Sequence, residues 1–234
     1  MALGDLLGDV FGDHSEETAA ALRAYGAERG LELTDRHGLP DATPLLKSGD
    51  RRRADFRLDG LLAKNTQGSI ALFTTVDVYH DAKGRRHRSF SHYTVAMTRL
   101  PRPQKIFPRL ICQRRSGFRA LDGFEDKVMH SGLRRVELES EAFDKRYEVF
   151  IGEESDANPV RQLFSPTFIL WLAETAPEGF AFEFCAGVLC ANLEGHMTEP
   201  AKLDGLRDGL LEVVGVLREE AREDFGPAQP RRAG

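Results

Sequence analysis

Residues 139–173, ESEAFDKRYEVFIGEESDANPVRQLFSPTFILWLA, hold a strand pattern, a turn and two helix-start signals within 35 positions, and this stretch constrains the fold most. Tyr147, Val149 and Ile151 alternate with Arg146 and Glu148, which is the period of a half-buried strand. Phe150 interrupts the alternation, so both faces are expected to be covered there. After the acidic turn 153–156, Asn158 is a good N-cap, and Pro159 suits a first helical position because the N–H it lacks has no partner there. Ser165-Pro166 repeats that signal, so a second helix is predicted to start at Pro166 rather than one helix to kink. Phe168, Ile169, Leu170, Trp171 and Leu172 follow, a run that predicts burial on most sides, with Trp171 in the core.

The segments on either side supply a sheet. Strands are predicted over 56–64, 69–79 and 88–100, with Ala82-Lys83-Gly84 as the tip of a long hairpin, because Ile70, Leu72, Val76 and Val78 alternate in one arm and Tyr93, Val95 and Met97 in the other. Further strands are predicted over 106–113, 136–138 and 147–151. Phe180, Phe182 and Phe184 lead through Ala186-Gly187 into 188–193 as a second hairpin. A long C-terminal helix is predicted after Pro200, where Leu203, Leu206, Leu210, Val213, Val214 and Leu217 fall on one stripe.

Before the strands, Leu3, Leu6, Leu7, Val10 and Phe11 mark one helical stripe, and a second helix is predicted over 16–28, with Ala20, Ala24 and Ala27 allowing close packing beside Leu22 and Tyr25. Residues 36–53, with Pro40, Pro44 and Gly49, predict a linker or a wrap across the sheet. The expected fold is therefore α+β. About seven antiparallel strands form a curved sheet or a pleckstrin-homology-like roll, with an N-terminal helix, an inserted helix pair and a long C-terminal helix; a single curved sheet with helices on one side is the alternative. The expected division is 1–53 as N-terminal helices and linker, 54–225 as one α+β domain, and 226–234 as a disordered tail.

Three segments, LRAYGAERGLEL near the start, ELESEAFDKRYEVF with VRQLFSPTFILWL in the middle and FCAGVLCANL near the end, together with the hairpin 69–98, resemble an uncharacterised bacterial family known as domain of unknown function 3137. The resemblance covers most of the chain and rests on packing and turn residues. Some members of that family carry an apolar N-terminal membrane segment, which this chain lacks, so the resemblance implies a soluble type acting near a membrane. It implies no activity.

Composition narrows function mainly by exclusion. With 41% hydrophobic and 29% charged residues the chain is an ordinary globular protein, and a net charge of −5 argues against a dedicated nucleic-acid binder. Three cysteines, Cys112, Cys185 and Cys190, are an odd set in a chain long enough to fold without covalent staples, which points to a reducing, cytoplasmic setting. No apolar run approaches the roughly 20 residues that span a bilayer. No nucleophile-elbow, phosphate-loop, dinucleotide or zinc-protease motif occurs. Cys185 and Cys190 lack partners for a zinc set, and His87 and His92 have opposite strand parity, so no metal site and no cofactor are predicted. Glu137, Glu139, Glu141 and Asp144 are assigned to a solvated edge.

One functional candidate remains. Lys83, Arg85, Arg86, His87 and Arg88 crowd the hairpin tip of an acidic chain and create a local positive field, suited to an anionic surface or an acidic protein partner. The competing explanation is a charged turn that keeps strand ends soluble and unpaired. The expected function is a non-enzymatic cytoplasmic binding or scaffold module, with the setting near a membrane that the resemblance implies; the alternative is a hydrolase or transferase whose site is assembled from scattered residues.

Overall fold

The computed structural model describes residues 12–35, 38–115 and 132–225. The apolar N-terminal stripe and the tail 226–234 lie outside the described residues.

Nine strands form one antiparallel sheet. They are β1 (Leu31–Thr34), β2 (Arg51–Ala63), β3 (Thr66–His80), β4 (Arg86–Arg99), β5 (Arg109–Arg114), β6 (Leu133–Val136), β7 (Tyr147–Gly152), β8 (Ala181–Cys185) and β9 (Val188–Glu194). Their order is β1-β2-β3-β4-β9-β8-β5-β7-β6, so β1 and β6 are the edges. The count exceeds the expected seven chiefly through β1. The segment assigned to N-terminal helices and linker also contributes the start of β2 and two helices, α1 (Gly12–Arg29) and α2 (Pro44–Lys47).

The two alternating patterns of the long hairpin point to opposite faces. Cross-strand pairs Ile70↔Ala96 and Phe73↔Tyr93 place Ile70 and Leu72 on one face, and Phe73, Tyr93, Val95 and Met97 on the other. Both faces are therefore covered, and residues 69–75 are buried throughout. The first face meets the long helix α6 (Pro200–Phe225), whose Leu203, Leu206, Leu210, Val213, Val214 and Leu217 are at most 2% exposed. Each such side chain contributes roughly 1.5–3 kcal/mol of transfer free energy. Gly209 lets this helix approach, since a Cβ there would lie 2.6 Å from Cε2 of Phe180. α1 packs on the same face through Ala19, Leu22 and Tyr25, while Ala20, Ala24 and Ala27 are exposed, contrary to expectation. Asp204 of α6 holds it there, accepting from Arg29 Nε at 2.7 Å and Nη2 at 2.6 Å.

Between β6 and β8 come α3 (Glu141–Asp144), α4 (Asn158–Leu163) and α5 (Pro166–Leu170), the last continuing into a π-helical turn, Trp171–Thr175. Two helices are present where two start signals were read, and Ser165 Oγ accepts from Phe168 N at 3.4 Å. At the first start Asn158 is the first helical residue rather than the cap: Ala157 holds the cap position without a side-chain bond, and Asp156 in the preceding turn accepts from Asn158 N at 3.0 Å. Trp171 is only partly buried: it stacks on Phe168 and meets Phe180 edge-on, each at 5.7 Å, while Leu170 is 55% exposed. The apolar run thus lies along the rim of the core, because Phe168 and Leu172 alone turn fully inward.

The second face is closed over β2, β3, β4 and β9 by Leu39, Leu45 and Leu46. Four residues of α2 cannot hold a helix unaided. Burial of Leu45 and Leu46, the Thr43 cap and Glu183 hold it in place. Glu183 lies in the sheet beneath, and its carboxylate accepts from Leu45 N at 2.9 Å.

Candidate binding site

β3 and β4 outrun their neighbours. Pairing with β2 ends at Arg51↔Val76 and pairing with β9 begins at Tyr93↔Glu194, so residues 77–80 and 86–89 continue as a two-stranded ribbon, and 90–92 at its root lie beyond the β9 ladder. Asp81 fixes the tip. Its Oδ1 accepts from the backbone N–H of Lys83 and of Arg85, both at 2.9 Å, and Oδ2 lies 3.0 Å from Arg85 Nε and 3.1 Å from His87 Nε2. The Arg85 N–H, followed by His87, holds the Asp81 carboxyl below the usual carboxylate range.

This turn divides the five residues of the basic cluster. Arg85 and His87 fold back on Asp81, and His87 also stacks on Tyr79 at 5.4 Å. Lys83, Arg86 and Arg88 are exposed and form no ion pair among the described residues. Strand parity puts Arg86, Arg88 and Phe90 on one ribbon face, with Phe90 48% exposed, and His87 and Tyr79 on the other.

At the root of the ribbon is a polar cluster that sequence reasoning missed. Thr74, 3% exposed, donates to Asp55 and lies 3.0 Å from His92 Nδ1 and 3.3 Å from His196 Nε2. One hydroxyl offers one proton and two lone pairs, so donation to Asp55 assigns both imidazole nitrogens as donors and leaves Thr74 saturated. Arg53 Nε pairs with Asp55 at 2.5 Å. Burial lowers the pKa of His196, against the opposing pull of Asp55, and His92 lowers it further. Only the opposite parities of His87 and His92 were legible. His196 arrives from the loop after β9, 104 positions later in the chain than His92, and a register pattern carries no signal of that meeting.

The remaining chemistry is structural. Cys112, Cys185 and Cys190 are buried and free. Burial raises their thiols, that of Cys185 to about 12, which leaves them as unreactive thiols. Cys185 pairs with Val188 and Cys190 with Glu183, so the two sulfurs are not directly opposed. Among the described residues no His, Cys, Asp and Glu side chains are grouped to hold a metal ion, and no helix is long and apolar enough to cross a membrane. Glu137, Glu139 and Glu141 are exposed.

No protein-family model matches the chain, and a search of curated proteins finds no match. Among solved structures, the chain is similar to the crystal structure of the mycobacterial trehalose monomycolate transport factor A, TtfA. The TM-score is 0.55 at 12% identity, over 86% of this chain and 94% of that one. A likeness at that identity concerns the fold: an α+β protein with a large antiparallel sheet and a long C-terminal helix.

Proposed function

We propose that the chain is a non-enzymatic docking module whose contact element is the β3–β4 ribbon, and that the ribbon takes an acidic protein segment. The observation that carries this reading is the division made by Asp81: Arg85 and His87 hold the turn, while Lys83, Arg86 and Arg88 stay exposed and form no ion pair among the described residues. In a chain of net charge −5 that leaves a compact positive field on a projecting element. A lipid surface responds to the summed charge of the whole ribbon, which includes Asp77 and Asp81 and has Asp50 bonded to its Val78 amide. A protein segment lying along β4 meets Arg86 and Arg88 first, and this favours a protein partner. The resemblance to domain of unknown function 3137 adds a setting near a membrane, and the three free cysteines suit a cytoplasmic one. TtfA, the fold neighbour, is named as a transport factor rather than an enzyme, which supports the same class.

The Thr74 cluster is what favours a hydrolase. Its hydroxyl is buried and its hydrogen-bonding capacity is used within the cluster, so it offers no free nucleophile. A concavity on α6, lined partly by Glu212, Arg218 and Arg222, lies at the far end of β3, where Arg218 bonds Thr66 at 3.1 Å.

The test compares wild type with a Lys83→Glu, Arg86→Glu, Arg88→Glu variant against a fluorescent acidic peptide and against phosphatidylserine vesicles. Arg85 is left intact because it supports the turn. Wild type is expected to bind the peptide in a salt-sensitive way, since exposed charge is screened within about 8 Å at physiological ionic strength. The variant should lose that binding with its melting temperature unchanged. Equal binding by both proteins overturns the reading, and binding to vesicles but not to peptide replaces the protein partner with a lipid surface.

A further inference from the structure

We infer that the open edge of β4 over Arg86–Phe90 accepts an extended acidic peptide as an added strand, continuing the lane that β9 vacates; this rests on the docking reading above. The ladder shows which backbone groups are available. Gly195 N donates to His92 O at 2.6 Å and Leu100 N to Gly187 O at 2.7 Å, so even-numbered residues of β4 direct their N–H and C=O toward β9. Past Gly195, opposite His92, the segment after β9 leaves this lane, and His196 folds onto Thr74. The outward groups of Phe90, Arg88 and Arg86 therefore meet no strand among the described residues.

The other side of the ribbon is capped over part of its length. β2 pairs with β3 as far as Val76, and Asp50 Oδ2 accepts the next outward amide, that of Val78, at 2.7 Å. Among the described residues the β4 edge is the longer of the two left without a strand, and Arg86 and Arg88 along it form no ion pair there.

The chemistry of the occupant follows from the register. An antiparallel strand in the β9 lane places the residues opposite Phe90, Arg88 and Arg86 on the same face as those three side chains. In the direction of the peptide chain the recognised pattern is apolar-x-acidic-x-acidic. Cationic side chains on an edge deter pairing with a second copy of this chain, where arginine would face arginine, and leave an acidic strand as the one that gains. The main-chain bonds give affinity and the alternate side chains select.

The probe is a fluorescein-labelled Ile-Thr-Glu-Thr-Glu-Thr peptide titrated by anisotropy, with two N-methylated forms. Methylating the amides of both Glu residues removes donors that face β4, while methylating the two Thr residues between Ile and the second Glu alters amides that face solvent. Loss of two main-chain bonds near 1 kcal/mol each predicts roughly a tenfold or greater loss for the Glu-methylated form. The Thr-methylated form should match the parent. If both methylated forms bind like the parent and all three fail on the charge-reversed variant, strand addition is overturned and charge-based docking stands. If neither the parent peptide nor the reversal has any effect, both readings fall.

Discussion

Thr74 and His92 face each other across the β3–β4 ladder, and the 3.0 Å contact between Thr74 Oγ1 and His92 Nδ1 joins the base of the ribbon to the loop carrying His196. Thr74→Val deletes the hydroxyl that Asp55, His92 and His196 share. Two of those partners retain access to solvent, with side chains 17% exposed for Asp55 and 28% for His196, so the expected cost is about 2 kcal/mol rather than the sum of three buried losses. Thr74→Ser should recover most of it in urea melts. A valine variant as stable as wild type would show that the cluster does not brace the ribbon.

Acidification should reach the same cluster. Burial holds His196 below the ordinary imidazole range, so the unfolded chain takes up this proton at a higher pH than the folded one. The contribution is fully present above about pH 6.5 and is lost as pH falls from there toward the folded value. His196→Gln should flatten that part of the stability curve, and a His196 imidazole that titrates by NMR at or above the ordinary range would contradict the assignment.

Glu183 predicts the opposite slope. Its pKa is raised by burial, despite hydrogen bonds from Thr43 and Leu45 and the charge of Arg109. The folded state therefore holds this proton to a higher pH than the unfolded state, and stability falls as pH rises from the usual glutamate range through the raised value. Glu183→Gln keeps an acceptor for Leu45 N and removes the charge. Its melting temperature should exceed that of wild type at pH near 7 by more than it does near pH 4; a larger advantage at the acid end would sink the claim.

The aromatic rim gives a comparison of magnitudes. Phe180 is fully buried against Gly209 of α6, whereas Trp171 is partly exposed. Phe180→Ala should cost roughly 3–5 kcal/mol and Trp171→Ala distinctly less, although tryptophan is the larger residue. Equal losses in chemical denaturation would mean that the indole is enclosed.

The sequence made the elements with sustained periodicity legible: the long hairpin, the β8–β9 hairpin and α6 each carry a pattern longer than any competing one. α2 stayed hidden because its four residues depend on burial of Leu45 and Leu46 and on Glu183, which meets Leu45 N from 138 positions away in the chain. The five residues 83, 85, 86, 87 and 88 formed a visible charge cluster, but its division did not show, because Asp81 joins the turn only when its carboxylate meets two backbone N–H groups. Trp171 was misplaced because five consecutive apolar residues on a helix cannot all face inward, and composition does not reveal which one stays at the rim.

The most direct test of the docking account is residue-resolved amide hydrogen exchange of the ribbon, with and without saturating acidic peptide. In the free protein the amides of His87, Ser89 and Ser91, which pair with β3, should exchange slowly, and those of Arg86, Arg88 and Phe90 fast. Peptide should slow the second set and leave the first set as it was. If Arg86, Arg88 and Phe90 exchange at the same rate in both samples, the edge receives no strand. If charge reversal then leaves peptide binding intact as well, the ribbon is not the contact element of this protein.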